Sequence, residues 1–172
     1  SSKLEKVGSA AAILLQLACL SHLINTHVCE MGHAYGPSML PTLDHIGSAM
    51  IVNKLAPRFF PIEQGDIIVC NSPLPPHHRV CKRVVGMPGD VVCIDPTKEE
   101  GEREWVQVPQ GHVWIAGDNM SNSIDSRIYG PVPFGLIRGR ALATVSEKGI
   151  EGERGRKNEL FKRVLTLYLL LC

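Results

Sequence analysis

Three segments of this chain choose residues that make poor sense as packing alone. In GPSMLPTL, residues 36–43, Ser38 follows Pro37 and precedes Pro41. Each proline fixes its own φ and restricts the residue before it, so Ser38 sits in neither a regular strand nor a regular helix. Met39 and Leu40 place apolar surface beside the hydroxyl. A stiff serine next to apolar side chains suits a nucleophile facing an extended peptide; the same residues also read as a plain proline-rich turn. In CKRVVGMPGD, residues 81–90, two cations stand inside an apolar strand rather than at its ends. Side chains alternate across a strand, so Lys82 shares a face with Val80 and Val84 while Arg83 points the other way. Burial in an apolar layer disfavours the charged amine, and a lysine moved from about 10.4 toward about 7–8 can take a proton from serine. A solvated lysine on an edge strand is the other reading. In GDNMSNSIDSRIYGPVP, residues 117–133, Asp125 stands two before Arg127. In an extended stretch these share a face and form an ion pair, leaving Ser123 or Asn122 to aim at a neighbouring amine. Alone, the segment reads as a polar Asx-rich turn with no catalytic role.

The elements that must hold these segments are short. Residues 48–54, 66–71, 79–85, 90–94 and 112–117 are runs rich in Val and Ile, separated by Gln-Gly-Asp, Pro-Leu-Pro-Pro and Met-Pro-Gly-Asp turns. With no helical period between them, they predict a mainly β domain over residues 31–146, of irregular sandwich or barrel type. Residues 96–104, PTKEEGERE, read as an exposed charged loop. Ahead of the domain, residues 7–24 form an apolar stretch without formal charge, about the minimum that crosses a bilayer. Residues 1–30 are therefore read as an anchor, with a buried helix or a cleaved targeting segment as the alternatives. Residues 147–172 read as a polar, basic and poorly ordered tail ending in an apolar run too short to span a membrane.

Composition narrows the function classes. The 172 residues carry 18 Lys+Arg against 17 Asp+Glu, a formal charge of +1, without the basic excess a nucleic-acid partner requires. None of the six cysteines forms a C-x-x-C pair and His77-His78 has no partner at ligand spacing, so neither a metal nor a cofactor is expected. Cys70, Cys81 and Cys93 lie in apolar runs and read as buried free thiols.

Taken together, and in this order, GPSMLPTL, HRVCKRVVGMPGD and GDNMSNSIDSRIYGPVPFGLIRGR resemble the type I signal peptidases, in particular their mitochondrial inner-membrane branch. The resemblance covers roughly residues 32–140. It implies a signal-peptidase-like β fold and a serine protease that uses a Ser-Lys dyad, in which no histidine is needed. Carried over by position, it makes Ser38 the nucleophile, Lys82 the general base and Ser123 the hydroxyl that orients the lysine amine. It makes Asp125 and Arg127 a structural ion pair, and places Met39 and Pro41 in the substrate-facing wall. Gly117, Asp118 and Asn119 match positions that shape the loop. The substrates implied are precursor polypeptides. The partner implied is a second protease subunit, and the address is the inner membrane with the catalytic domain facing the intermembrane space.

Two positions depart from the pattern. Bacterial relatives carry a serine two residues before the nucleophile as an oxyanion donor, where this chain has Gly36. One such donor is worth on the order of 3 kcal/mol. The last strand is usually aromatic-rich, whereas here Arg140 is followed by ALATVSEKG. These departures keep a non-catalytic assembly subunit as the rival reading, against which stands the presence of both Ser38 and Lys82. Self-cleaving repressors share the Ser-Lys chemistry but need a DNA-binding helical domain, and this chain offers a single apolar segment in its place.

Overall fold

The computed structural model describes residues 2–44, 48–74, 78–146 and 149–152. Helix α1 (Ser2–His27) extends the expected apolar stretch at both ends. Its segment Lys6–His27 has a mean hydropathy of 1.8 and none of it is buried, which excludes a core helix. At 1.5 Å per residue those 22 residues measure about 33 Å, long and apolar enough to cross a bilayer.

The chain then enters a mainly antiparallel β domain. Its strands are β1 (Cys29–Ala34), β2 (Ser48–Asn53), β3 (Ile67–Asn71), β4 (Arg79–Gly86), β5 (Val91–Cys93), β6 (Trp105–Gln107), β7 (His112–Ala116), β8 (Val132–Pro133), β9 (Ile137–Ser146) and β10 (Gly149–Gly152). One eight-stranded sheet runs β1-β2-β9-β3-β4-β7-β8 with β10 added to β9, and β5 pairs with β6 alone. Two one-turn helices, α2 (Ala56–Phe59) and α3 (Ser126–Tyr129), sit in the connections.

Strand β3 shows how the sequence builds this sheet. Its unbroken apolar run cannot be one-sided, because neighbouring residues face opposite ways. Ile68 and Cys70 pack with Val84, Val113, Ile115 and Val132, while Ile67 packs on the other side with Met39, Leu43, Met50 and Val52. Each fully buried side chain of this size contributes about 1.5–3 kcal/mol. Of the thiols expected in the core, only Cys70 is buried; Cys81 and Cys93 are half-buried, Cys81 at the edge of the second core cluster where the cleft opens.

Strand β9 contains the segment that lacks the family's aromatic pattern, yet it occupies a central place between β2 and β3. Ala141 is buried there opposite Val52. The register shifts at Ile51/Val52 and Val69/Cys70, bulges that add local twist where β9 meets its neighbours. Residues 96–104 are mostly exposed around a 3-10 turn, Glu100–Glu102. Within the span read as a tail, β10 pairs with β9; residues 147, 148 and 153–172 lie outside the described residues.

Candidate active site

Ser38 lies in a 3-10 turn, Pro37–Met39, entered through Gly36 at φ 106°. That conformation strains any residue with a Cβ, although the space beside Gly36 is open. The backbone thus gives a local reason for glycine where bacterial relatives carry serine. The turn is held from two sides. Met39 is buried among Leu43, Met50, Val52 and Ile67. From the opposite loop, the Asn119 N–H donates to the Ser38 carbonyl oxygen (3.0 Å) and Asn119 Nδ2 donates to the Pro37 carbonyl oxygen (3.0 Å).

The same loop is tied to the strand that carries the lysine. Arg83 Nε and its terminal nitrogen donate to the two oxygens of Asp118, at 2.8 and 2.7 Å. Thr42 Oγ1, four residues after Ser38, donates to the same carboxylate at 2.5 Å. Asp118 therefore joins the nucleophile's loop to the residue next to Lys82. Desolvation works to raise its pKa, but the hydrogen bonds from Arg83 and Thr42 and the nearby positive charges outweigh it, so the carboxyl sits below its ordinary range. The sequence placed Arg83 on the face away from Lys82, and that is the face it uses; it gave Asp118 no partner.

Lys82 is 3% exposed, opposite Ile68 in the ladder and beside Val84. Among the described residues no hydrogen bond or ion pair holds its amine. Burial pushes its pKa down, opposed in part by the negative charge of Asp125. The group is thus biased toward the neutral amine, the form that accepts a proton.

Behind it, Asp125 is fully buried and its carboxylate is completely engaged. It accepts from the Gly117 N–H at 2.9 Å and from Arg127 Nε and Nη2, both at 2.9 Å. The pair does not form across an extended stretch as the sequence suggested. Asp125 is instead the N-cap of α3 and also accepts from the Arg127 N–H, so the two residues meet across the first turn of a helix. Ser126 adds a second weld, its hydroxyl accepting from the Ile115 N–H at 3.0 Å.

Ser123 lies between these groups. A Cβ on Gly117 would land on the Ser123 side chain and on the Ser38 carbonyl oxygen, so glycine is what lets the loop approach so closely. The Ser123 hydroxyl is buried and near enough to Asp125 to help lower its pKa, yet meets hydrogen-bond geometry with no described group. A buried hydroxyl without a partner costs stability whatever its role, so its retention calls for an explanation.

Ser38, Met39 and Lys82 line one cleft of about 1060 Å³, whose wall includes Thr26 and His27 at the end of α1. Pro41, expected beside Met39 in the substrate-facing wall, is exposed and is not part of that lining. The sequence did not anticipate Lys54, Arg58, Arg79 and Arg138 along the cleft; they come from separate stretches of chain, and only the fold brings them to one wall. Among the described residues no cluster of His, Cys, Asp and Glu is placed to hold a metal ion.

A serine and a buried lysine thus line one open cleft, on a β domain led by an apolar helix. The chain belongs to the family Signal peptidase, peptidase S26, which matches residues 7–99 and 95–146. It is 41% identical to the mitochondrial inner membrane protease subunit 1 of Schizosaccharomyces pombe, over 77% of this chain and 83% of that protein. It is 43% identical to the protein of the same name from Xenopus tropicalis, over 81% of this chain and 84% of that one. The mitochondrial inner membrane protease subunit 2 of Danio rerio is 38% identical, over 62% of this chain and 58% of that protein. The resemblance read from the three motifs, including its mitochondrial branch, agrees with these relatives, and α1 is compatible with anchoring at the same membrane.

Proposed function

We propose that this protein is a membrane-anchored serine endopeptidase that removes sorting segments from precursors delivered to the mitochondrial intermembrane space. Neutral Lys82 takes the proton from Ser38 as the Ser38 oxygen attacks a peptide carbonyl. The resulting ammonium returns the proton to the leaving amine as the C–N bond breaks, leaving an acyl-enzyme. Water gives a proton to the same amine and attacks the ester carbon. The acid product leaves, and the proton returns to Ser38. The Ser38 N–H donates to the developing oxyanion. Ser123 orients the Lys82 amine, and the Asp125–Arg127 pair holds the loop that carries it. The observation that carries this reading is the buried Lys82 amine, in the same cleft as Ser38 and without an acidic partner among the described residues. The relatives are named as subunits, and a second subunit of the same family is the expected partner.

The test is cleavage of a precursor-derived peptide by the purified full chain in detergent, alone and with a second subunit. Loss in both Ser38→Ala and Lys82→Met, with unchanged circular dichroism, is the expected result. Wild type that never cleaves, even with the second subunit, would replace this reading with that of an assembly subunit.

A further inference from the structure

Two strand edges bound the cleft. β1 is the terminal strand of its sheet, and the first half of β4 has a partner on one side only, since its pairing with β7 begins at Arg83. One ion pair crosses from edge to edge: Arg79 Nη1 on β4 donates to Glu30 Oε1 on β1 at 2.8 Å. Glu30 is held from behind, where Lys54 Nζ meets its other oxygen at 2.6 Å. The hydrogen bond from Lys54 keeps the Glu30 pKa below the ordinary carboxylate range although burial opposes it, and the bond from Arg79 works in the same direction. The Lys54 amine is used up in this way, for it also donates to the carbonyl oxygens of Asn25 (3.0 Å) and Thr26 (3.2 Å).

Arg79 is not used up. Its side chain is 60% exposed, and among the described residues only its Nη1 has a partner. A guanidinium is a planar fork of N–H groups, so the Nε and Nη2 edge that grips a carboxylate with two parallel bonds stays open to the cleft. Besides Lys82, the charged groups that line the cleft among the described residues are Lys54, Arg58, Arg79 and Arg138 against the one carboxylate of Glu30. Arg138 donates to Asn71 Oδ1 at 3.2 Å and Arg58 stands on α2, whereas Arg79 shares a strand with Lys82.

We propose that Arg79, drawn across the cleft by Glu30, selects an acidic substrate side chain about three residues from the scissile bond, an inference that rests on the Ser38–Lys82 peptidase reading. An extended peptide between the two edges advances about 3.3 Å per residue, in step with β4, on which Arg79 precedes Lys82 by three positions. The substrate carboxylate docks on the open edge of the fork while Glu30 keeps Nη1, so no existing ion pair has to break. A cationic side chain at the same place meets a wall that is positive on balance. Glu30 is the positioning residue of this site, and Lys54 fixes Glu30.

The experiment follows soluble peptides built on a precursor sequence, cleaved by the purified full chain in detergent with a second subunit present. Each position flanking the scissile bond carries Asp, Asn or Lys in turn. The kcat/KM values are compared within each protein, so that a general loss of activity cancels. In wild type, Asp should exceed Asn about tenfold at one position, about three residues from the bond, with Lys below both. Arg79→Gln should bring the Asp/Asn ratio to near unity, Arg79→Lys should keep part of it, and Arg79→Glu should turn the order in favour of Lys. Glu30→Gln releases Arg79 from its crossing and should lower the ratio through KM for the acidic peptide rather than through kcat. Wild type without a charge preference, or a preference that survives Arg79→Gln, overturns the proposal. A preference lost in Arg138→Gln but kept in Arg79→Gln overturns it too and moves the site to Arg138. Wild type that cleaves none of the peptides removes the peptidase reading and this assignment together.

Discussion

Strand β4 carries charge at its start and at its middle, and the two places use it differently. Near its start, Arg79 pairs with Glu30 at 2.8 Å, and Glu30 pairs with Lys54 at 2.6 Å. The Arg79 side chain is 60% exposed, so this network is open to water and salt. Three residues on, Lys82 is buried without a partner among the described residues, while Arg83 and Arg127 each have a carboxylate engaged by two nitrogens. Exposed pairs of the first kind contribute about 0–1 kcal/mol, whereas breaking a buried pair costs about 3–5 kcal/mol because a charge is stranded. The lesson is that arginines supply the rigidity of this corner so that its one lysine can be left destabilised.

The comparison is broken most directly at Lys82. Replacing a general base lowers turnover by about 10²–10⁴-fold, and Lys82→Met should do at least this. Removing a desolvated amine that no described group holds should leave the melting temperature unchanged or raised. A large fall in melting temperature would mean that Lys82 is a structural cation.

Arg127→Ala comes next. It strands the buried Asp125 carboxylate and should lower stability by about 3 kcal/mol, measured by urea denaturation. Burial favours the protonated acid, but the hydrogen bonds from Arg127 and Gly117 outweigh it and hold the Asp125 pKa below its ordinary 3.8. The sign follows: the stabilisation is complete above 3.8 and is lost as pH falls below that value through the folded-state pKa. Acid denaturation of wild type should therefore steepen in that window and do so less in Arg127→Ala.

Asp118→Asn acts on the nucleophile's side of the corner. It weakens the link among Thr42, Arg83 and the Asn119 loop, so kcat should fall by about tenfold while KM for a short peptide changes little, the signature of lost positioning. Glu30→Gln, at the exposed end, should cost less than about 1 kcal/mol, and that cost should shrink further in high salt.

Much of the corner could be read because it follows from alternation. Val80, Lys82 and Val84 on one face and Arg83 on the other need no tertiary information. The partner of Arg83 could not be read in the same way, since Asp118 lies 35 residues on and Thr42 is 76 residues from Asp118. The Asp125–Arg127 pair was legible as a pair but was given the wrong backbone, because spacing alone does not distinguish an extended i, i+2 contact from a helix N-cap. The resemblance puts Met39 and Pro41 together in the substrate-facing wall, yet Met39 turns into the core while Pro41 is exposed. Strand β1, CEMGHA, has no β-branched residue and was missed. Its pairing with β2 orders it rather than its own propensity.

Neutral Lys82 serving Ser38 makes the pH dependence of kcat/KM for a soluble precursor peptide the decisive measurement. Below the folded-state pKa the amine is protonated and idle, so the rate should rise with pH to a plateau. The single inflection should fall below the ordinary lysine value of 10.5, as burial of Lys82 requires. A rate that is flat through that range, or that survives in Lys82→Met, would contradict it.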